Sequence, residues 1–216
     1  MNRTFKHAQR YNSDVYVVDY THSTDGKRGV EILSAQPVDG LATLHVKNPN
    51  MVEYWGVNFE EHGAFFKYKD KNGNEQKADN CECMFVASKA KHKGWMLLAE
   101  LKYCETVEAV DSNAETAYLQ LLHTLDWLVQ KKVAKPTRHR VYLNVSIPPF
   151  SEREPFTSFL QTQDDILDGE PGMLTNCVGS KLFKQIADAG FELHVLGMNS
   201  VLIYTYANIM IPKQLI

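Results

Sequence analysis

Glu100 and Lys102 stand two residues apart in an apolar stretch, Trp95-Met96-Leu97-Leu98-Ala99-Glu100-Leu101-Lys102-Tyr103-Cys104. Side chains of a β-strand alternate between faces, so the acid and the base leave on the same one. Charges inside a hydrophobic strand cost folding free energy unless they are paired or used. An acid and a base so placed either satisfy each other or serve a reaction that needs both. The stretch before them, Ala78-Asp79-Asn80-Cys81-Glu82-Cys83-Met84-Phe85-Val86, reads as a second strand with Asp79 at its opening, and Ser88–Gly94 reads as a polar hairpin loop ending in glycine. Asp79 shares the Glu100 face if the hairpin pairs it with Lys102 or with a residue of the same parity. A one-residue slip substitutes Glu82. Asp79 is preferred because Cys81, Cys83 and Phe85 then form an apolar row behind it.

Acid, hairpin, Glu-x-Lys: the chain resembles the PD-(D/E)xK nuclease superfamily over roughly residues 63–146, with Ala78-Asp79 where the family signature has Pro-Asp. The resemblance implies an α/β fold, a restriction-endonuclease-like core with a mixed β-sheet flanked by helices, and Mg²⁺- or Mn²⁺-dependent hydrolysis of phosphodiester bonds. Such hydrolysis needs a hard divalent cation that acidifies the attacking water and neutralises developing charge. Mg²⁺ takes oxygen ligands and keeps several waters, so one or two carboxylates and a carbonyl suffice. Carried over residue by residue, Asp79, Glu100 and the Leu101 carbonyl are the metal ligands, and Lys102 is the catalytic cation that reaches the water or the scissile phosphate. In the family a Gln on the following helix often approaches the metal, and Gln120 stands where it could. A further acid often precedes the first core strand, and Glu53, Glu60 and Glu61 are the candidates.

The elements that would position these groups follow from pattern. Residues 1–50 read as a β-rich N-terminal extension, with strands at 14–20, 29–33 and 42–46. Pro49 places a helix start before the aromatic segment Met51 to Phe59. Residues 64–69 form the first core strand and turn at Asn72-Gly73 into the Asp79 strand. Ser112-Asn113-Ala114-Glu115 is a capping box for a core helix carrying Ala114, Ala117, Tyr118, Leu121, Leu122, Leu125 and Leu128, closed by Lys131, Lys132 and Pro136. Val141–Ile147 is then a strand parallel to the Glu100 strand through a helical crossover, which makes 51–147 the nuclease-like core. Residues 148–178, rich in proline and acids, are a loop or insertion. Residues 179–216 carry a helix stopped by Gly190 and a closing hairpin, 191–196 with 201–206, in what is read as a single domain.

With 216 residues, 44% of them hydrophobic, the chain can bury a sizeable core. It has no apolar run of about eighteen residues and no leader-like start, so a cytoplasmic protein with no membrane partner is expected. The net charge of −3 does not announce a nucleic-acid binder. Local basic clusters do exist: Lys131, Lys132, Lys135, Arg138, His139 and Arg140, and Lys89, Lys91, His92 and Lys93 at the hairpin turn. The first of these is the expected nucleic-acid contact, with DNA ahead of RNA. Cys81, Cys83, Cys104 and Cys177 lack knuckle spacing and read as buried thiols rather than as a zinc site. A binding or scaffold protein that keeps a nuclease-like fold without turnover is the alternative. A homodimer through the aromatic segment 54–66 is a third reading.

Overall fold

All eight residues of Gly94–Leu101 are buried, Glu100 included, which makes the Glu100 strand central and covered on both faces. The computed structural model of the chain describes residues 5, 7–21, 28–37, 43–60, 67–69, 75–77, 80–103, 108–147 and 178–210. Asp79, Glu61, Cys104, Cys177, the Asn72-Gly73 turn and all of 148–177 lie outside them.

In chain order the strands are β1 (Gln9–Tyr11), β2 (Val15–Asp19), β3 (Val30–Leu33), β4 (Thr43–Lys47), β5 (Tyr54–Asn58), β6 (Lys67–Lys69), β7 (Glu75–Lys77), β8 (Cys83–Ala87) and β9 (Gly94–Leu101). Helix α1 (Glu108–Gln130), β10 (His139–Ser146), helix α2 (Val178–Asp188), β11 (Glu192–Leu196), β12 (Ser200–Ile203) and β13 (Ile209–Met210) complete them. A six-stranded mixed sheet has the order β1-β5-β8-β9-β10-β11 and a five-stranded sheet the order β13-β12-β4-β2-β3. β5, β8 and β9 are antiparallel neighbours, whereas β9, β10 and β11 run parallel. The expected helical crossover from the Glu100 strand is therefore present, through α1. The protein is α/β with mixed sheets, and among the described residues no helix is long and apolar enough to cross a membrane.

Alternation along β9 sorts the two faces. Met96 and Leu98 join α1, α2 and Phe5 in one core, while Trp95, Leu97, Ala99 and Leu101 join the five-stranded sheet in another. The N-terminal strands β2, β3 and β4 share that sheet with the C-terminal β12 and β13.

Four local expectations are corrected. The segment after Pro49 is strand β5, not helix, because Tyr54, Trp55 and Val57 suit a pleated, buried surface and Gly56 weakens a helix. The partner of β8 on its outer side is this β5, while β6 and β7 form a separate two-stranded ribbon. α1 already runs from Glu108, so Ser112 is helical and its box is not the cap. β11 and β12 do not form the expected hairpin: β11 lies beside β10, and β12 crosses to pair in parallel with β4 and antiparallel with β13. Asn199 and Met198 make that crossing, held by side chains of β10. Asn144 receives the Met198 N–H at 3.1 Å and donates to its carbonyl at 2.9 Å, and the Ser146 hydroxyl bonds Asn199 at 2.8 Å.

α1 ends at Gln130, just before the two lysines expected to close it, and α2 ends at its glycine. At the end of α1 the Lys132 N–H bonds the Val129 carbonyl and the Val133 N–H the Leu128 carbonyl, with Lys132 at φ 59° in the position that usually takes glycine. α2 is stopped by Gly190 at φ 88°.

Candidate active site

Three consecutive residues, Asn80, Cys81 and Glu82, lead into β8 and carry the contacts that assemble the site. The Asn80 carbonyl accepts from Gln120 Nε2 at 3.4 Å, the Cys81 N–H donates to Thr124 Oγ1 at 2.8 Å, and the Glu82 N–H donates to Glu100 Oε2 at 3.0 Å. Gln120 and Thr124 are one turn apart on α1, so the helix faces this segment with two polar groups inside its apolar stripe. Thr124 Oγ1 in turn donates to the Gln120 carbonyl at 2.8 Å.

The two glutamates interlock. Glu82 Oε2 accepts the Leu101 N–H at 2.8 Å, the reciprocal of the Glu82 N–H to Glu100 bond. Lys102 Nζ lies 2.6 Å from Glu100 Oε1, so the Glu-x-Lys pair is formed. Glu100 is 1 % exposed and Lys102 carries its charge toward solvent. The buried Gln120 Oε1 has no hydrogen-bond partner among the described residues. An orphaned buried acceptor is expensive unless something donates to it or binds it.

Burial pushes the Glu100 carboxyl up from 4.5 to about 7, against the lowering pull of the Lys102 ammonium. Glu82 is held well above the ordinary carboxylate range by burial first, then by repulsion from Glu100 and Asp19. The pair holds a proton near neutrality because the fold removes water from both carboxyls and gives them one cation.

This has a measurable consequence. In the unfolded chain Glu100 ionises near 4.5 and in the folded chain near 7, so between those values the folded protein keeps a proton the unfolded chain has released. Stability from the neutral carboxyl is complete below the lower value and lost as pH rises through the upper one, by roughly 3 kcal/mol. His139 works in the opposite sense: burial, Arg138 and Lys135 lower it from 6.5 to about 4, so its contribution grows as pH rises through that window. Comparing wild type with Glu100→Gln isolates the carboxyl. From pH 5 to 8 the melting temperature of wild type should fall relative to the variant, and parallel curves would show that Glu100 ionises normally.

The structure brings Glu100, Lys102, the Leu101 backbone and Gln120 to one end of the six-stranded sheet. Asp79 lies outside the described residues, and Glu82 occupies the place opposite Glu100. Of the N-terminal acids, Glu60 is at the same end, since the Phe59 N–H bonds the Glu82 carbonyl, but its carboxylate accepts the Val30 N–H at 2.6 Å. Gly29 makes the room, because a Cβ there would lie 1.9 Å from Glu60 Oε2. Glu53 is at the other end, 2.9 Å from Lys89. The basic residues are separated from the carboxylates too. His139 pairs with Gly94 and Ser146 with Leu101, so Arg138 and Arg140 sit at the far end of the parallel strands, and Arg140 is engaged by Glu192. Lys131 lies over the Trp127 ring at 5.7 Å, at the end of α1. Lys132 and Lys135 are exposed in the same connection.

Cys81 and Cys83 are free, buried thiols, but not in one row: Cys81 belongs to the α1 side and Cys83, with Phe85, to the other. The chain bends at Glu82 before the pleat of β8 begins. Among the described residues no three His, Cys, Asp or Glu side chains converge as a metal-binding group. No protein-family model, no curated protein and no solved structure matches this chain.

Proposed function

We propose that the chain is a Mg²⁺- or Mn²⁺-dependent nuclease, hydrolysing phosphodiester bonds in nucleic acid on a restriction-endonuclease-like core. The observation that carries this reading is the buried Glu82–Glu100 pair joined to Lys102 at a strand end. The antiparallel β5-β8-β9 set followed by the α1 crossover to β10 supports it, being the order of elements that the resemblance implies. The donor set fits a hard cation: two carboxylates, an amide oxygen and a backbone carbonyl are all oxygen. The orphaned Gln120 Oε1 supports the fit from the helix side.

In this reading Glu100 and a second acid, Glu82 or Asp79, hold the cation with the Leu101 carbonyl. When bound, it would lower the pKa of an attacking water and draw charge from the phosphate. Lys102, at the solvent side of Glu100, stabilises the charge that builds on the phosphoryl oxygens. Gln120 orients a water or a ligand oxygen. Burial of both carboxyls keeps them protonated until a cation displaces the proton, so metal affinity rises with pH.

Thermal denaturation in millimolar Mn²⁺ tests the site directly. The midpoint should rise in wild type, more at pH 8 than at pH 5.5, and not in Glu100→Gln. An unchanged midpoint at both pH values would refute the metal site. Cleavage of single- and double-stranded DNA and RNA with Mn²⁺ tests the activity.

A non-catalytic scaffold on the same core is favoured by one observation, the distance between the basic residues and the carboxylate pair. Metal binding without cleavage of any substrate would select it.

A further inference from the structure

The end of the six-stranded sheet opposite to Glu100 opens into a cleft of about 1210 Å³. Its walls are the β8–β9 turn, the approach to β10 and residues 205–207. The Gly94 N–H bonds the Arg138 carbonyl at 2.8 Å, the Trp95 N–H bonds the Tyr206 carbonyl at 3.3 Å, and the Trp95 indole N–H bonds the Thr205 carbonyl at 2.9 Å. Backbone bonds therefore tie all three walls together before any ligand arrives.

Both basic clusters legible in the sequence converge here. Lys89, Lys91, His92, Arg138 and His139 line the cleft, and no carboxylate does among the described residues. That is a marked local bias in a chain with more acids than bases. Lys89 is neutralised by Glu53 at 2.9 Å, whereas Lys91 and Arg138 are exposed and have no ion pair among the described residues. Just outside, Lys93 and Arg140 share the single carboxylate of Glu192. The half-buried His139 accepts the Lys135 N–H on Nδ1 at 3.0 Å, which leaves the proton of the neutral ring on Nε2 as a donor. Burial first, and then the charges of Arg138 and Lys135, hold that ring neutral.

We propose that this cleft binds a phosphate-bearing ligand, a nucleotide phosphate either free or within a nucleic-acid strand, through Lys91, Arg138 and the His139 Nε2–H. Charge-assisted bonds to phosphate oxygens are the strong form of such contacts, and arginine makes them in pairs. The volume exceeds the roughly 300–1,000 Å³ of ordinary small-molecule pockets, which leaves room for a nucleoside beside the phosphate. The six steps of β9 from Gly94 to Glu100 put the cleft about 20 Å from the carboxylate pair. It is a second site, and it stands whether or not the first one hydrolyses anything.

The full chain is titrated at low salt with inorganic pyrophosphate and, separately, with a fluorescein-labelled single strand of DNA. Binding is followed by anisotropy for the DNA and by the imidazole NMR signals for both. Either probe should raise the His139 titration midpoint, because added negative charge offsets Lys135 and Arg138 on its own connection and Lys89, Lys91 and His92 on the hairpin. Lys91→Ala with Arg138→Ala should fold with the wild-type melting temperature and bind about 10²-fold more weakly, about tenfold per lost charged contact. For DNA its salt dependence should flatten by about 1.4 in slope. Lys181→Ala, on the exposed side of α2, should bind as wild type does. Pyrophosphate alone binding identifies a free phosphate ligand, and DNA alone binding identifies a strand. Binding of neither probe overturns the proposal, as does undiminished affinity in the double variant or an equal loss of affinity in Lys181→Ala.

Discussion

Replacing Lys102 by Ala should lower turnover on a cleavable nucleic acid by about 10²–10³, with KM nearly unchanged, since one preorganised electrostatic contact is typically worth that much. The expectation rests on position: Nζ is 2.6 Å from Glu100 Oε1 at the mouth of a buried carboxylate pair. An ammonium there is tied to the site and still partly open to solvent, where a phosphate would approach. The charge it would stabilise is greater in the transition state than in the bound substrate, so the loss falls on kcat. A second effect separates this role from simple structural support. Lys102 opposes the rise of the Glu100 pKa caused by burial, so without it that carboxyl should ionise above about 7. The limb of the pH–rate profile that reports Glu100 should move to higher pH in the variant, and metal-induced stabilisation at pH 7 should weaken with it. Cleavage that survives equally in Lys102→Ala would place the activity elsewhere.

What the sequence made legible was the chemistry carried by long, regular elements. The Glu100 strand, α1 and the parallel strand behind it follow from an unbroken apolar run, a helical repeat and the crossover rule, and all three stand where the pattern put them. Face assignment before β8 could not be read that way. Parity counted back from Phe85 assumes a continuous pleat, but the chain bends at Glu82, sends Cys81 to the α1 side and sets Glu82 opposite Glu100. The signal available was Glu82 itself, an acid between two cysteines that would otherwise face an apolar core. The aromatic segment at β5 was ambiguous because Pro49 suggests a helix start while Tyr54, Trp55 and Val57 prefer a strand. Pairing with β8 decided it. Strand exchange between the sheets had no local signature, since a hairpin and a crossing both need a turn near Gly197. The deciding contacts come from Asn144 and Ser146, more than fifty residues away.

Asn144→Ala should destabilise the fold by about 2–5 kcal/mol. Asn144 is fully buried in the middle of β10, in register with Ala99 on one side and Leu196 on the other. Its amide oxygen takes the Met198 N–H and its amide nitrogen bonds the Met198 carbonyl, so one side chain satisfies both backbone groups where the chain leaves one sheet for the other. Alanine removes both partners at once and leaves a buried donor and a buried acceptor, at roughly 1–3 kcal/mol each, with a small void beside them. Leucine fills the void but not the bonds, so Asn144→Leu should be nearly as harmful, and only Asn144→Asp or Asn144→Gln could keep part of the bonding. Urea unfolding should show a lower midpoint with an unchanged slope, because the surface exposed on unfolding is the same. A loss below about 1 kcal/mol would mean that water enters and replaces the amide. The position also bears on function: Val145 and Ser146 are paired with Glu100 and Leu101, so loosening β10 at Asn144 should blunt the pH dependence and the metal response of the carboxylate pair along with the fold.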